Sequence, residues 1–163
     1  MKLDSARLEA IRHFGDSPQK RRAPFVVYQA METLIDGADV SAGLADFHSS
    51  EGGTEWRAVW VTANSVAYVT ANSNLQDWDR ESSPTGSAPS IQGWVRPISS
   101  IEGFGLSAIE DRPSAGAVHE WAAVHQIKFT SGVRIDVPLF GDVASYSWKD
   151  VDQFVSYLRG VLN

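Results

Sequence analysis

The residues of this chain that could carry chemistry are four histidines and a few short acidic groups. His119 and His125 lie in one predicted strand, six positions apart. They share a face but stand about 20 Å apart at ~3.3 Å per residue, so they cannot bind one metal ion together. His48 with Asp46 imitates a metal pair, yet no third ligand is placed nearby. We therefore expect no metal site.

The acidic loop residues Asp77, Asp79 and Glu81 have a spacing similar to that of a calcium loop. Trp78 and Arg80 interrupt this spacing, and no glycine occupies the sixth position that such a loop requires. We interpret these carboxylates as solvated loop charge. A catalytic pair of carboxylates stays open as an alternative, although no pattern marks one out.

The other common catalytic motifs are absent from the sequence. Gly103-Phe104-Gly105 lacks the third glycine and the following helix of a dinucleotide-binding loop. No Gly-x-Ser-x-Gly elbow occurs, and the chain has no cysteine for a nucleophile, a thiolate metal site or a disulfide. The sequence predicts a protein without catalytic residues or cofactors.

Charge is distributed unevenly along the 163 residues. Residues 1–23 hold six basic and three acidic residues, a balance of +3, whereas the rest hold eight basic and seventeen acidic residues, a balance of −9. Such an acidic body repels nucleic acid and disfavours anionic lipid, because both need clustered cations. Only the segment Lys20, Arg21 and Arg22, preceded by Gln19, offers a basic contact.

The hydrophobic fraction of 43% and the charged fraction of 21% are ordinary for a globular protein of one domain. The first 16 residues lack the apolar core of a secretory signal, and no run approaches the ~18 apolar residues of a transmembrane helix. We expect a soluble, cytoplasmic protein of bacterial type.

The first 40 residues are predicted to form a helical hairpin packed on the domain. Ser5 is the candidate N-cap of a first helix that ends at Gly15, and Pro24 suits the first position of a second helix that ends at Gly37. The apolar stripe of the second helix comprises Val27, Tyr28, Met31, Leu34 and Ile35.

Residues 41–163 are predicted to form antiparallel strands that a helix completes. Runs 56–63 and 66–71, separated by Asn64-Ser65, are typical of a hairpin. Further strands are expected at 42–50, 93–98, 101–109, 118–130 and 133–139. In the strand 118–130 the two-residue period places five side chains on one face, which we expect to pack in the core: Trp121, Ala123, His125, Ile127 and Phe129.

The last predicted element is an amphipathic helix at 147–162, with Ser147 as its N-cap and Asp150 as the partner in a capping box. Its apolar stripe comprises Val151, Phe154, Val155, Leu158, Val161 and Leu162. The predicted fold class is α+β: a bent antiparallel sheet or barrel, capped by this C-terminal helix, with two extra N-terminal helices.

The order of elements over residues 42–162 resembles the pleckstrin-homology-like superfold, including its GRAM-type members. The resemblance rests on WRAVWVTANSVAYVT, WVRPISSIEGFGL, HQIKFTSGVRIDVPL and DVDQFVSYLRGVL in this order. It implies a bent antiparallel sheet closed at one end by a helix, and an interaction scaffold. Many members bind a phosphoinositide with several Lys and Arg, but the matching loop 48–57 holds one Arg and two Glu, so no ligand residue is carried over.

We therefore expect a non-catalytic binding or scaffolding module that recognises a protein partner, through the 72–90 loop or an open sheet edge. Trp78, in a polar loop, and the basic residues Lys20, Arg21 and Arg22 are the candidate contacts. For Trp78, folding back to cover the sheet is the competing interpretation. A homo-oligomer is left open. The alternative function is a small-ligand carrier or enzyme of helix-grip type, with a cavity under the C-terminal helix lined by Trp121, His125 and Phe154.

Overall fold

The computed structural model describes residues 3–17, 20–82, 88–112, 120–141 and 148–163. The chain divides into two compact units, unit 1 (Met1–Ile98) and unit 2 (Ser99–Asn163). Ser147, the expected cap of the last helix, lies outside the described residues, as does His119.

Unit 1 consists of two helices and a four-stranded antiparallel sheet. The strands follow one another in the order β1-β2-β3-β4, so each pairs with its neighbour in sequence. The elements are α1 (Ser5–Ile11), a 3₁₀ turn (Arg12–Gly15), α2 (Phe25–Ile35), β1 (Val40–Ser50), β2 (Gly53–Thr62), β3 (Ser65–Ser73) and β4 (Ser90–Pro97). The predicted hairpin around Asn64-Ser65 is confirmed as β2 and β3.

The helix starts differ from the predicted ones by one residue, and α1 ends at Ile11, after which the 3₁₀ turn continues to the predicted end at Gly15. Asp4, not Ser5, caps α1, because its carboxylate accepts a hydrogen bond of 2.8 Å from the backbone N–H of Arg7. Pro24 stands at the N-cap of α2 and not at its first helical position. At the other end of α2 the backbone turns left-handed at Asp36 and Gly37, which stops the helix.

The core of unit 1 lies between the helices and one face of the sheet. The side chains of Trp56 and Trp60 from β2 are fully buried there, together with Tyr28 and Met31 from α2. The Trp60 indole N–H donates a 3.2 Å hydrogen bond to the carbonyl of Phe14, which satisfies its polar atom inside the core. The N-terminal helices therefore pack on the first sheet.

An ion pair joins α1 to α2. Both the Nε and an Nη of Arg7 donate to the carboxylate of Glu32, the shortest contact being 2.8 Å, and Glu32 is buried. Arg7 also donates to the carbonyl of Ala38 at 2.6 Å. Its hydrogen bond to Glu32 raises the pKa of Arg7, so the guanidinium stays charged over the whole physiological range.

Unit 2 contains a three-stranded antiparallel sheet, in the order β5-β6-β7, and the C-terminal helix α3. Its elements are β5 (Ile101–Arg112), β6 (Glu120–Phe129), β7 (Arg134–Val137) and α3 (Trp148–Leu162), and the 3₁₀ turn Ile98–Ser100 precedes them. The fold class is α+β, as predicted. In the described chain the strands form two sheets that are not closed into a barrel. No described helix is long and apolar enough to span a membrane.

Helix α3 buries four of the six predicted stripe residues, Val151, Phe154, Val155 and Leu158. Val161 and Leu162, in its last turn, are exposed, so the prediction for these two was wrong. The buried stripe ends one turn earlier than the apolar pattern of the sequence does.

The largest departure from prediction concerns Trp121, expected in the core. Its side chain is 67% exposed, whereas His125, Ile127 and Phe129 on the same face of β6 are buried. The predicted alternation holds from His125 to Phe129. Toward the start of the strand the opposite face is buried instead, at Ala122 and Val124, and only one half of the predicted core face is covered. The strand pair β5–β6 extends to Arg112 and Glu120, beyond the covered half of the face, and Trp121 lies in this uncovered end.

Candidate protein-binding surface

The structure brings the two predicted contact segments together within unit 1. Arg21 donates to the Asp77 carbonyl at 3.3 Å and forms an ion pair with Asp79 at 3.1 Å. The backbone N–H of Arg80 donates to the carbonyl of Arg22 at 3.0 Å. Lys20 is exposed. The basic segment therefore serves as an anchor for the loop that follows β3, and Asp79 neutralises the charge of Arg21.

Trp78 lies inside this junction. Its side chain is half-buried and packs against the core of unit 1, in agreement with the interpretation that it folds back onto the sheet. The Trp56 indole N–H donates to the backbone carbonyl of Trp78 at 2.6 Å. The backbone N–H of Trp78 donates to Thr54 Oγ1 at 3.0 Å. These contacts leave only part of the ring for a partner.

Arg80 in the same loop has an unusual environment. Its guanidinium carbon lies 4.6 Å from the ring centre of Phe25 and 4.8 Å from that of Tyr28. Its Nε and one Nη are buried without a hydrogen-bond partner among the described residues. The two rings supply cation–π attraction in place of those hydrogen bonds. Burial raises the pKa of Tyr28 to about 12, so this hydroxyl stays protonated and cannot act as a base near neutral pH.

Among the described side chains, the most exposed large hydrophobic ones belong to unit 2. Trp121 is 67%, Ile109 60% and Leu106 58% exposed. Ile109 pairs with Ala123 and Leu106 with His125, and directly opposed residues of an antiparallel pair project from the same face. Since residues 121, 123 and 125 alternate on one side of β6, the three exposed side chains share that face. We call Leu106, Ile109 and Trp121 the apolar patch.

A β-bulge makes this arrangement possible. The register between β5 and β6 shifts between Leu106 and Ala108, and Ser107 Oγ donates to the carbonyl of Val124 at 3.2 Å. In a regular strand, Leu106 and Ile109 would point to opposite faces because they are three residues apart. The extra residue in β5 brings both side chains to the same face of the sheet, where His125 and Ala123 of β6 are their cross-strand partners.

The patch borders a part of the sheet face that α3 adjoins. His125 is buried, stacks on Phe104 with the ring centres 5.3 Å apart, and lies 3.4 Å from an Nη of Arg159 in α3. Burial, reinforced by the charge of Arg159, lowers the pKa of His125. The expectation of a core histidine is confirmed. Its neighbour Leu106, one strand away, marks the start of the exposed half.

Among the described residues no cluster of metal ligands accompanies the patch, and the cavities that are described lie in unit 1. In the described ranges no group of three or more His, Asp or Glu residues could hold a metal ion. Two cavities are described in unit 1: an apolar groove of about 320 Å³ between α2 and β4, and a polar one of about 470 Å³ that includes His48 and Glu55. Trp121 cannot line an enclosed cavity with His125 and Phe154, because it is open to solvent.

The patch could not be predicted from the sequence. The two-residue period of a strand indicates which sheet face a side chain is on, but it does not indicate whether another element covers that face. One signal was available: Glu110, Asp111, Arg112 and Glu120 flank Ile109 and Trp121. Charged neighbours on both strands are typical of a strand end that reaches solvent.

Comparison with known proteins yields no relative: no family model, no curated protein and no solved structure matches this chain.

Proposed function

We propose that the protein is a non-catalytic binding module that recognises a partner protein through the apolar patch of unit 2. The single observation that carries the proposal is the exposure of three large hydrophobic side chains on one sheet face. Contiguous exposed apolar surface is uncommon on a monomer and is typical of interaction sites. Tryptophan in particular is enriched among the residues that dominate binding energy. The pleckstrin-homology-like resemblance, itself a prediction, is in line with an interaction scaffold.

The partner element that fits the patch best is an amphipathic helix. The face already has α3 beside it, an amphipathic helix whose Arg159 reaches His125 on the same face. A second helix laid alongside α3 would cover the exposed half with an apolar stripe of i, i+3, i+4 and i+7 side chains. A helix on this face would lie beside the contact that Arg159 of α3 makes with His125.

The charge of the surrounding sequence specifies the polar side of that helix. Residues 110–112 and 120 comprise three acidic residues and one basic one, a balance of −2 next to the patch. A partner helix with lysine or arginine beside its apolar stripe would be attracted, and an acidic one repelled. We therefore infer a basic amphipathic helix as the ligand.

Affinity capture from the source cell with matched variants tests this function. The bait is the full chain, compared with an Ile109→Ser/Trp121→Ser variant and with Lys128→Ser, an exposed position on the opposite face of β6. We expect a protein captured by the wild type and by Lys128→Ser to be lost with the double variant. The helix of that protein, made as a peptide, should bind the double variant at least about tenfold more weakly. Equal binding by all three chains would reject the proposal.

A further inference from the structure

Strand β4 of unit 1 is an edge strand without the usual protection. It is the last strand of its sheet and pairs with β3 without a register shift from Ser90 to Pro97. Natural edge strands are commonly blunted by charges, proline or a bulge, since an open edge invites pairing with another chain. Here residues 90–95 carry no charge and no proline, and only Arg96 and Pro97 at the far end do.

The side chains on the helix-facing side of β4 are apolar and partly exposed. Ile91 is 38% and Val95 43% exposed, and Gly93 lies between them. A Cβ at Gly93 would stand 2.9 Å from Val69 Cγ2 and 3.0 Å from Leu34 Cδ1, so glycine allows α2 to approach the strand closely. The groove of about 320 Å³ between α2 and β4 opens beside these residues and is lined mainly by aliphatic groups.

These features form a self-complementary arrangement. If two copies of β4 run antiparallel about a twofold axis at Gly93, Ile91 of one copy lies opposite Val95 of the other, and both such pairs form together. Each pair joins a branched aliphatic side chain with another on the same face, which is a favourable cross-strand contact. The symmetric placement of Ile91 and Val95, two residues on either side of glycine, is what makes the register specific.

We propose that β4 pairs with β4 of a second copy of this chain, so that two four-stranded sheets join into one of eight strands. Charge does not oppose a second copy at this place. The chain has a net charge of −6 and repels itself in general. At the uncharged stretch 90–95 no carboxylate of one copy faces one of the other. The two α2 helices would then lie on the same face of the joined sheet.

The absence of cysteine allows a direct test with single-thiol variants. Ile91→Cys and Val95→Cys are prepared separately, mixed, and treated with a short bismaleimide linker. In the proposed register residue 91 faces residue 95 at about 5 Å between Cβ atoms. The two copies of residue 91 stand about 13 Å apart along the strands, as do those of residue 95. We expect covalent dimers from the mixture and few from either variant alone.

Sedimentation of the full chain provides the second measurement. We expect twice the mass of one chain, and a monomer for Val95→Lys, because two lysines would be forced against the apolar neighbours. Ser41→Lys, exposed on the opposite edge strand β1, should remain a dimer. Far-ultraviolet circular dichroism shows whether Val95→Lys is folded. If it is unfolded, the crosslinking of Ile91→Cys with Val95→Cys alone tests the inference. A monomeric wild type, or equal linking in the mixture and in the single variants, would overturn the inference, and the edge would then be solvated or taken by a different protein.

Discussion

The indole N–H of Trp56 donates a hydrogen bond of 2.6 Å to the backbone carbonyl of Trp78. Thr54, two residues before Trp56, accepts from the backbone N–H of Trp78 and itself donates to the carbonyl of Leu75. Two side chains of strand β2 thus hold the backbone of the loop after β3, while the Trp78 ring packs on the core. This relationship explains why a tryptophan stands in an otherwise polar loop.

Truncation of Trp78 should therefore act on stability. Trp78→Ala removes a half-buried ring from the edge of the core, and we expect the free energy of unfolding to fall by about 2 kcal/mol, less than for a fully buried tryptophan. Urea titration followed by circular dichroism measures the change. Gln76→Ala, at an exposed position of the same loop, should stay within about 0.5 kcal/mol of wild type. A neutral Trp78→Ala would show that the ring contributes nothing to the core.

The ion pair between Arg7 and Glu32 should be sensitive to geometry as well as to charge. Arg7 uses two nitrogens on the Glu32 carboxylate and a further contact on Ala38. Lysine keeps the charge but not the planar fork, so we expect Arg7→Lys to lower the free energy of unfolding by about 1 kcal/mol. Arg12→Lys, whose partner Glu9 is exposed, is the matched control and should be neutral. Equal effects of the two substitutions would contradict this reading of the pair.

His125 should make the protein less stable at acidic pH. Its pKa in the folded chain is lowered by burial and by Arg159, so the unfolded chain binds the proton more readily. Stability is then fully present above the unfolded pKa of about 6.5 and is lost as pH falls below it toward the folded pKa. The urea midpoint should fall between neutral and mildly acidic pH in the wild type, and it should fall less in His125→Gln. His13→Gln, at an exposed position, should keep the wild-type difference; the same difference in His125→Gln would refute the assignment.

Gly53 should be much less replaceable than Gly132. Both have a positive φ, but a Cβ at Gly53 would clash with the carbonyl oxygen of Ser73, whereas nothing lies within 4 Å at Gly132. Gly132→Ala carries the backbone strain alone, about 1 kcal/mol. Gly53→Ala adds a backbone clash, and we expect a loss of at least about 3 kcal/mol or an insoluble chain. Thermal unfolding of the two variants side by side measures the difference, and equal midpoints would disprove the close approach.

The sequence predicted the elements better than their environment. The 2-residue period in β6 and the 3.6-residue period in α3 identified both elements, but the buried face of β6 only in part, because Ala122 and Val124 on its other face are buried as well. Those periods contain no information on how far a neighbouring element extends, so Trp121, Val161 and Leu162 were assigned to the core although they lie beyond it. The bulge at Ser107 was equally invisible, because an extra residue in one strand shows only against its partner. The anchoring of Arg21 by Asp79 joins positions 58 residues apart, which no local pattern reveals.

The apolar patch is the centre of the functional proposal, and site-specific photo-crosslinking measures its use most directly. A benzophenone side chain is placed at position 109, within the patch, and in a second chain at position 131, in the exposed turn after β6. Both chains are irradiated with the captured partner, and mass spectrometry locates the linked residues. We predict strong linking from position 109 only, to partner residues spaced by three, four and seven positions along one basic helix. Equal linking from both positions, or linked residues spaced by two as in a strand, would contradict the account.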